Sequence, residues 1–459
     1  MRSTWQTACF VFGGMALALP AVAGQGAEVT FARDIAPILQ RSCENCHRTG
    51  GVAPFPLTTH DEVRPWARAV KNKTMTREMP PWFIEKNVGI QRFKDDISLS
   101  DEEIAMIGTW VDSGAPRGNP SDLPPPLEWN DLTEWSIGEP DLIVSSPVTA
   151  IKAEAPDLNI WLAPSETGLT EDRYIKAVEF KETRLEEPTA ARAPGSNQKA
   201  DLTLWMVHHA IIGTQMPDGD DVGGGVTGSG GTGNFGHAHE LGQNATVYPD
   251  GLGVRLPADS SLTWQIHFHS IGKETPVRLD AGFKFHPKGY VPTHRLGGPG
   301  AGGLAFFDML DFPAGETKIM ETFTVTSEFV KMITFEPHMH AGGTRMCLNA
   351  IYPSGVRETL NCSGYNHNWV KVYNYEDDAA PLMPPGTILQ VLGWFDNSAS
   401  NPRNAEPRNW KGLGHRSIDD MLLFLGKFVS LSEEEYTAEL AARGDMVQRG
   451  GTTTGQNNN

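Results

Sequence analysis

Residues 330–335 form an apolar run that predicts a β-strand, and this strand leads directly into an H-x-H motif formed by His338 and His340. Side chains alternate along a strand, so both histidines project from the same face if the strand continues through the motif. Gly342 and Gly343 then end or bend it. Two imidazoles on one face of a rigid strand can supply two ligands of a metal site, although surface strands also carry such pairs.

The amino-acid composition indicates a loop-rich, β-rich chain of more than one domain. The chain has 459 residues, of which 39% are hydrophobic, 48 are Gly and 33 are Pro. This length exceeds what one hydrophobic core usually organises, and so many turn residues are typical of short strands. The net charge of −18 argues against nucleic acid and anionic membranes as partners.

The N-terminus has the pattern of a cleavable secretory signal peptide at residues 1–23. Arg2 provides the positive start, residues 8–19 are mostly apolar, and Ala21-Val22-Ala23 fits an A-x-A cleavage site. The apolar run is too short for a membrane anchor. The sequence therefore predicts a periplasmic or secreted protein without membrane insertion, in a compartment where disulfides and covalent haem can form.

The segment Cys43-Glu44-Asn45-Cys46-His47 is the C-x-x-C-H pattern of covalent c-type haem attachment. Two thiols three positions apart can form both thioethers, and the adjacent His47 can ligate the iron from the proximal side. A redox-active C-x-x-C and half of a zinc site are the alternatives. Neither needs the histidine, and no second C-x-x-C completes a zinc site. The motif therefore predicts one haem c held by Cys43, Cys46 and His47.

A sixth haem ligand is expected between this motif and a helix that begins after Ser100, where a capping-box pattern marks the helix start. Met79 and Met75 are the candidates, and we favour Met79 because two following prolines stiffen its loop. A thioether ligand favours electron transfer over oxygen binding. Residues 28–116 thus resemble a small all-α class I cytochrome c domain, and a Pro-rich linker follows at residues 117–135.

From residue 136 onward, short strand-like runs alternate with turn residues, which is the pattern of β-sandwiches or barrels. The Gly-rich segment 297–303 is the best boundary between two β domains, at residues 136–296 and 304–430. Residues 431–459 are predicted to form a terminal helix and a disordered tail. The predicted fold class is a small all-α cytochrome c domain followed by two all-β antiparallel sandwich domains of jelly-roll type.

Two further strand-like segments carry histidines that can complement the H-x-H pair. His208 and His209 lie within an apolar run, where a buried imidazole is costly without a partner. Adjacent residues of a regular strand face opposite ways, so joint binding of one metal needs a bulge or different ring nitrogens. The alternative is one buried, hydrogen-bonded histidine and one exposed histidine. His267 and His269, on one face of a second strand, offer a third imidazole; only one of the two is needed, and we predict that the other is polar lining.

A second H-x-H motif, formed by His237 and His239, follows a Gly-rich stretch that has no basic residue and no phosphate-binding pattern. Its flanks are loop-like rather than apolar. We therefore predict a surface position for this pair, or a supporting position behind a ligand.

Cys347 and Cys362 lie in a predicted hairpin whose turn is Ser354-Gly355. Pairing outward from the turn places the two cysteines directly opposite each other, close enough for a disulfide. A buried pair of free thiols is the alternative, and the geometry favours the bridge.

Four motifs, taken together and in order, resemble those of the copper type II, ascorbate-dependent monooxygenases, which include the peptidylglycine α-hydroxylating and dopamine β-hydroxylating enzymes. In that family a V-H-H strand and a Q-V-H strand bind one copper, and an H-x-H motif and a distant Met bind another. The N-terminal haem segment resembles that of bacterial proteins joining a cytochrome c to such a region. The matching motifs, within residues 136–430, are Val207-His208-His209, Gln265-Ile266-His267, His338-Met339-His340 and Asp419-Asp420-Met421.

The resemblance implies two copper ions and the hydroxylation of a substrate C–H bond with O2. It also implies two β-sandwich domains that face each other across a cleft, a small-molecule substrate, and electrons that a redox partner delivers through the haem. An alternative is a haem- and copper-containing electron-transfer or copper-binding protein without hydroxylase activity. The implied ligands are His208, His209 and His267 for one copper, and His338, His340 and Met421 for the catalytic copper.

One departure from the family concerns the substrate. The peptide-amidating branch carries an Arg two positions before its H-x-H motif, where it grips the substrate carboxylate, and Glu336 stands at that position here. A peptide with a C-terminal glycine is therefore not the expected substrate.

Overall fold

The fold is taken from a computed structural model of the chain. The structure describes residues 28–443 apart from 50–52, 54, 129–133, 157, 186–205, 219–235, 241–244, 298–303, 306–309, 368, 415 and 417. The predicted signal peptide, the terminal tail and most of the boundary segment 297–303 lie outside the described residues.

The predicted fold class, a small all-α cytochrome c domain followed by two all-β sandwich domains, is wrong. Strands account for 39% of the structure and helices for 15%, and the described part of the chain contains no sizeable all-α domain. The helical elements of the N-terminal part are short: Phe31–Ile35, Ala36–Ser42, His60–Val63, Arg64–Trp66, Ala67–Met75, Asp101–Asp112 and Pro120–Asp122. The capping box predicted at Ser100 is confirmed, since Ser100 and Glu103 bond reciprocally at the start of Asp101–Asp112.

The N-terminal helices enclose a small apolar core, but the chain between them joins the β-structure. Ile84–Gly89 is a strand that pairs antiparallel with Arg357–Gly364 at the edge of a five-stranded sheet. Trp82 and Phe93, on either side of this strand, pack against Tyr373 in the core of that sheet. The sequence pattern did not predict this strand, because an edge strand depends on its partner and on packing context more than on its own composition.

Two sheets pack face to face between residues 142 and 285 and enclose a core that includes Trp264, Phe180 and Phe283. One of them, here called the imidazole sheet, has four antiparallel strands in the order Leu158–Glu166, Ser261–Phe268, Val207–Gln215 and His237–Glu240. Strand residues alternate between this core and the outer face. The second sheet contains Leu142–Ser145, Thr149–Ile151, Arg173–Arg184, Ala245–Val247, Val254–Leu256 and Thr275–Phe285.

The five-stranded sheet forms the centre of the C-terminal part, and the predicted disulfide is confirmed within it. Cys347 and Cys362 are directly opposed on neighbouring strands and are bonded to each other. The strand order is Ile84–Gly89, Arg357–Gly364, Gly343–Ile351, Ile388–Asp396 and Thr317–Val325. Shorter strands pair around it: Leu296–Gly297, Leu304–Ala305, Asp311–Phe312, Phe329–Met332, Thr334–Phe335, Pro337–Met339, Tyr373–Asn374, Leu382–Met383, Lys411–Gly412, Leu422–Phe424 and Phe428–Leu431.

The last described helix, Glu433–Ala442, begins at a capping box formed by Ser432 and Glu435. Its Tyr436 packs on Phe329 with ring centroids 4.8 Å apart, which docks the helix on the neighbouring strand. No helix among the described residues is long and apolar enough to cross a membrane.

Candidate metal centre

A β-bulge brings His208 and His209 to the same site. In the imidazole sheet His267 is opposite His209, but the next residue, Phe268, is opposite Val207, so His208 is the extra residue of the bulge. The two Nδ1 atoms of His208 and His209 lie 3.1 Å apart. With His267 they form a buried group whose potential ligand atoms all lie within 4.8 Å of one another. The bulge that the sequence analysis required for joint binding is therefore present.

The H-x-H motif and the predicted methionine lie on two paired strands. Pro337–Met339 runs antiparallel to Leu422–Phe424, with His338 opposite Leu423 and Met339 opposite Leu422. Continuing this register places His340 opposite Met421, and directly opposed residues share one face of a sheet. His338, His340 and Met421 therefore lie on the same face, with the two imidazole centroids 5.6 Å apart. All three side chains are buried.

A glycine and a buried carboxylate fix the position of Met421 relative to the H-x-H motif. The backbone N–H of Gly342 donates to Oδ1 of Asp420 at 3.2 Å. A Cβ at Gly342 would lie 2.5 Å from both carboxylate oxygens of Asp420, so only glycine fits this approach. Burial raises the pKa of Asp420 to about 7. The contact connects the end of one strand to the residue before Met421.

The two histidine groups face each other. The rings of His209 and His338 have centroids 6.2 Å apart and are almost perpendicular, at 89°. His209 belongs to the outer face of the imidazole sheet, because Val207 and Ala210 on either side of the bulge pack into the core. The predicted ligands of both copper sites are therefore brought together, where the outer face of the imidazole sheet meets the C-terminal part.

Two more histidines join this cluster. The ring of His269 lies 4.8 Å from that of His208 and 5.0 Å from that of His267. The ring of His367 lies 5.0 Å from that of His208 and 5.2 Å from that of His340. We call the whole set the histidine cluster, and its members are His208, His209, His267, His269, His338, His340 and His367.

His367 was missed by the sequence analysis. It lies in the loop between Arg357–Gly364 and Tyr373–Asn374, without a strand-like flank and without a second histidine at motif spacing. A lone histidine among polar residues carries little signal. The one sequence signal for His367 was its position shortly after Cys362, because the predicted hairpin brings the following segment back toward the H-x-H strand.

The second H-x-H motif does not take part in the cluster. His237 and His239 lie on a strand of the imidazole sheet but on its core face, where they stack against Phe180 at 5.0 and 5.2 Å. Both are buried. The predicted surface position is therefore wrong, since the pair packs inside the sandwich, and the alternative of a supporting position behind a ligand stays a prediction.

Burial keeps four imidazoles of the cluster neutral. It lowers the pKa of His208 to about 2 and the pKa of His367 to about 3, and the neighbouring imidazoles add to both shifts. The pKa values of His209 and His340 lie well below the usual range for the same reasons. Neutral imidazole is the protonation state that binds a metal ion, so these four side chains are ready to bind at pH 7.

The C-x-x-C-H segment lies at the end of the helix Ala36–Ser42. Cys43 and Cys46 are not bonded to each other, and burial raises the pKa of the Cys43 thiol to about 12. An uncharged thioether is compatible with such burial. Nδ1 of His47 donates to the carbonyl oxygen of Phe55 at 3.0 Å, which orients the ring and leaves Nε2 as the ligand atom.

The two methionine candidates lie in different surroundings. Met75 is 58% exposed on its helix, whereas Met79 is half-buried on the wall of a cavity of about 820 Å³ that Trp82 and Ile104 also line. Cys43, Cys46 and His47 are not among the residues that line this cavity. The pairing of Met79 with His47 stays a prediction.

Comparisons with known proteins do not identify a family. No family model matches the chain, and no curated protein matches it. Among solved structures, it is similar to the VP2 subviral particle of infectious bursal disease virus, with 10% identity over 69% of this chain and 77% of that one and a TM-score of 0.17. A Bacillus subtilis oxalate decarboxylase variant has 8% identity over 60% and 80%, with a TM-score of 0.12. Likenesses this weak define neither a common fold nor a function.

Proposed function

We propose that this chain is an exported copper-dependent monooxygenase that hydroxylates a C–H bond of a small organic substrate with O2. The observation that carries the proposal is the pair of facing ligand sets at one site, His208, His209 and His267 on one side and His338, His340 and Met421 on the other. The order and type of these residues resemble the copper type II monooxygenases, and the geometry supports that resemblance.

The donor atoms suit copper better than other metal ions. Carboxylate oxygens, which Mg²⁺ and Ca²⁺ require, are absent from the ligand sets, and buried neutral imidazoles suit copper and zinc. A thioether such as that of Met421 is a soft ligand that selects Cu(I) over zinc. When bound, the copper ions would supply electron transfer and O2 activation, and a haem c on Cys43 and Cys46 would supply the reducing electrons.

The protein's own residues orient the ligands and exclude water. Nε2 of His208 donates to the backbone carbonyl of His367 at 3.2 Å, which leaves Nδ1 of His208 for the metal. Asp420 fixes the approach of Met421 through Gly342. Burial of the cluster restricts competing solvent around the reacting centre.

A short stretch of chain leads from the histidine cluster to a residue that interacts with the haem motif. Lys371 is half-buried and interacts electrostatically with Cys46. It lies four positions after His367, a separation that spans at most about 14 Å even when fully extended. This proximity supports the proposal that a redox partner delivers electrons to the haem for use at the histidine cluster.

The proposal is tested by mixing anaerobically reduced, copper-loaded protein with O2 and following haem absorbance. We expect rapid haem reoxidation and O2 consumption by the native chain, and slow reoxidation by a His338→Ala/His340→Ala variant. Replacement of His294, a surface histidine near Glu435, by Ala is the matched control and should behave as the native chain. Equal, slow reoxidation in all three proteins would contradict a monooxygenase and favour a pure electron-transfer or copper-binding role.

A further inference from the structure

His367 occupies the junction between the two ligand sets. Its ring lies 5.2 Å from that of His340 on one side and 5.0 Å from that of His208 on the other. Its side chain is 7% exposed. The loop that carries it is held at its base by the hydroxyl of Tyr365, which donates to the carbonyl of Met339 between the two histidines of the H-x-H motif.

The imidazole of His367 is poorly satisfied by the described residues. Neither Nδ1 nor Nε2 makes a hydrogen bond of good geometry, although the Met339 backbone lies near enough to raise the pKa of the ring slightly against the larger effect of burial. A buried polar side chain without a partner is destabilising, and such groups in folded proteins usually mark a functional role or a bound ion. Nδ1 of the neighbouring His340 is also buried and unpartnered. Two adjacent imidazoles with unsatisfied nitrogens are what a metal ion would bind.

The backbone and the ring of His367 serve different sides of the cluster. Its backbone carbonyl accepts the hydrogen bond from His208 and so orients a ligand of the three-histidine group. The backbone carbonyl of His367 is therefore occupied by His208. The two ring nitrogens of His367 remain available to bind a metal ion beside His338 and His340.

We infer that His367 is a further copper ligand, whose imidazole joins His338, His340 and Met421 at the second centre while its carbonyl orients His208 at the first. This inference rests on the proposed function. A third imidazole would bind Cu(II) as well as Cu(I) at that centre, because it adds a borderline donor to a site otherwise shaped by a soft thioether. His367 would also connect the two centres, so that loss of copper from one centre changes the copper affinity of the other.

The inference is tested by Cu(I) titration of the full-length chain against a chromophoric Cu(I) chelator. We expect His367→Ala to weaken one of two copper sites at least about tenfold, in line with what loss of a ligand or its supporting group costs. In a His338→Ala background the same change should cause no further weakening, since residues that act on one metal are non-additive. His367→Gln serves as a second variant of similar volume.

Two readouts separate a ligand from a structural residue. In a His208→Ala/His209→Ala background, which leaves only the second centre, X-ray absorption should count one imidazole fewer at copper after His367→Ala. The melting temperature of the metal-free His367→Gln protein should not fall, because the native imidazole makes no hydrogen bond of good geometry there and glutamine can keep a weak contact with the Met339 backbone.

The possible results are distinct. Unchanged copper affinity in His367→Ala, or a loss that adds fully to that of His338→Ala, overturns the inference and leaves the proposed function intact. A native chain that binds no copper overturns both.

Discussion

At the scale of single residues, burial decides what each imidazole of the histidine cluster can do. A buried imidazole without a counter-charge stays neutral, and several neutral imidazoles side by side can share a metal ion that none of them could hold alone. The sequence motifs named six of these seven histidines, five as copper ligands and His269 as polar lining, because strand alternation and a bulge at His208 bring them together. His367 could not be found in this way, because loop residues follow no such period.

Met421 is expected to be required for O2-dependent turnover but not for copper binding by His208, His209 and His267. Met421→Leu keeps nearly the same volume and apolar character, so the fold should tolerate it at a cost below about 1.5 kcal/mol. We predict that copper at His208, His209 and His267 is retained while O2-dependent turnover is lost, as measured by copper content and an oxygen electrode. Met320→Leu, on the distant strand Thr317–Val325, is the control. Full activity in Met421→Leu would show that the thioether is not a ligand.

The metal-free protein is expected to lose stability in mild acid. The folded-state pKa of His208 is lowered to about 2, whereas an unfolded histidine titrates near about 6.5. Only the unfolded chain therefore takes up a proton as the pH falls below about 6.5, so stability present at neutral pH is lost on acidification. At pH 5 this one residue should cost about 2 kcal/mol. Urea unfolding of the metal-free protein at pH 7.5 and pH 5 measures the loss.

His208→Gln provides the control for that titration. Its stability should depend less on pH over the same interval, since glutamine takes up no proton. An identical pH dependence in the native chain and the variant would rule out His208 as a source of the acid sensitivity.

At the scale of elements, the sequence predicted the strands that bear histidines better than the strand that joins the two parts of the chain. The segments around His208, His267 and His338 have strong apolar runs, and each forms a strand in the structure. Apolar and polar residues alternate only weakly along Ile84–Gly89. Its strand conformation depends on pairing with Arg357–Gly364. This pairing, with the bridge between Phe93 and Tyr375, makes the N-terminal segment part of the β-structure rather than a separate cytochrome-like domain.

Gly89 is the residue on which this junction depends. It has a φ of +63°, and a Cβ there would lie 2.0 Å from the carbonyl oxygen of Leu360 on the partner strand. We predict that Gly89→Ala is destabilising by clearly more than the roughly 1–2 kcal/mol that a left-handed backbone alone imposes on alanine. The measurement is the free energy of unfolding, together with proteolytic sensitivity near the strand.

Gly168→Ala is the matched control for Gly89. Gly168 has a φ of +69°, and a Cβ there meets no atom within 4 Å. It should therefore show the backbone cost without the steric clash. Equal losses for the two variants would mean that the pairing of Ile84–Gly89 with Arg357–Gly364 is not tight.

At the scale of the whole molecule, the site depends on two parts of the chain meeting face to face. The imidazole sheet supplies one ligand set, and the C-terminal strands supply the other. Sequence alone placed the ligands of each set on separate strand-like segments, but only the family resemblance implied that they would meet, because strand patterns do not specify how separate strands and sheets pack. The N-terminal segment also packs against the C-terminal core, to which it contributes Phe93. This packing was not predicted for the same reason.

The metal content of the mature protein tests the central claim most directly. After copper loading and removal of loose metal, elemental analysis with parallel haem quantification should find two coppers and one iron per chain. A His208→Ala/His209→Ala variant and a His338→Ala/His340→Ala variant should each retain one copper and the full iron content. Iron without copper, or copper that survives both sets of substitutions, would contradict the assignment of the histidine cluster as a copper centre.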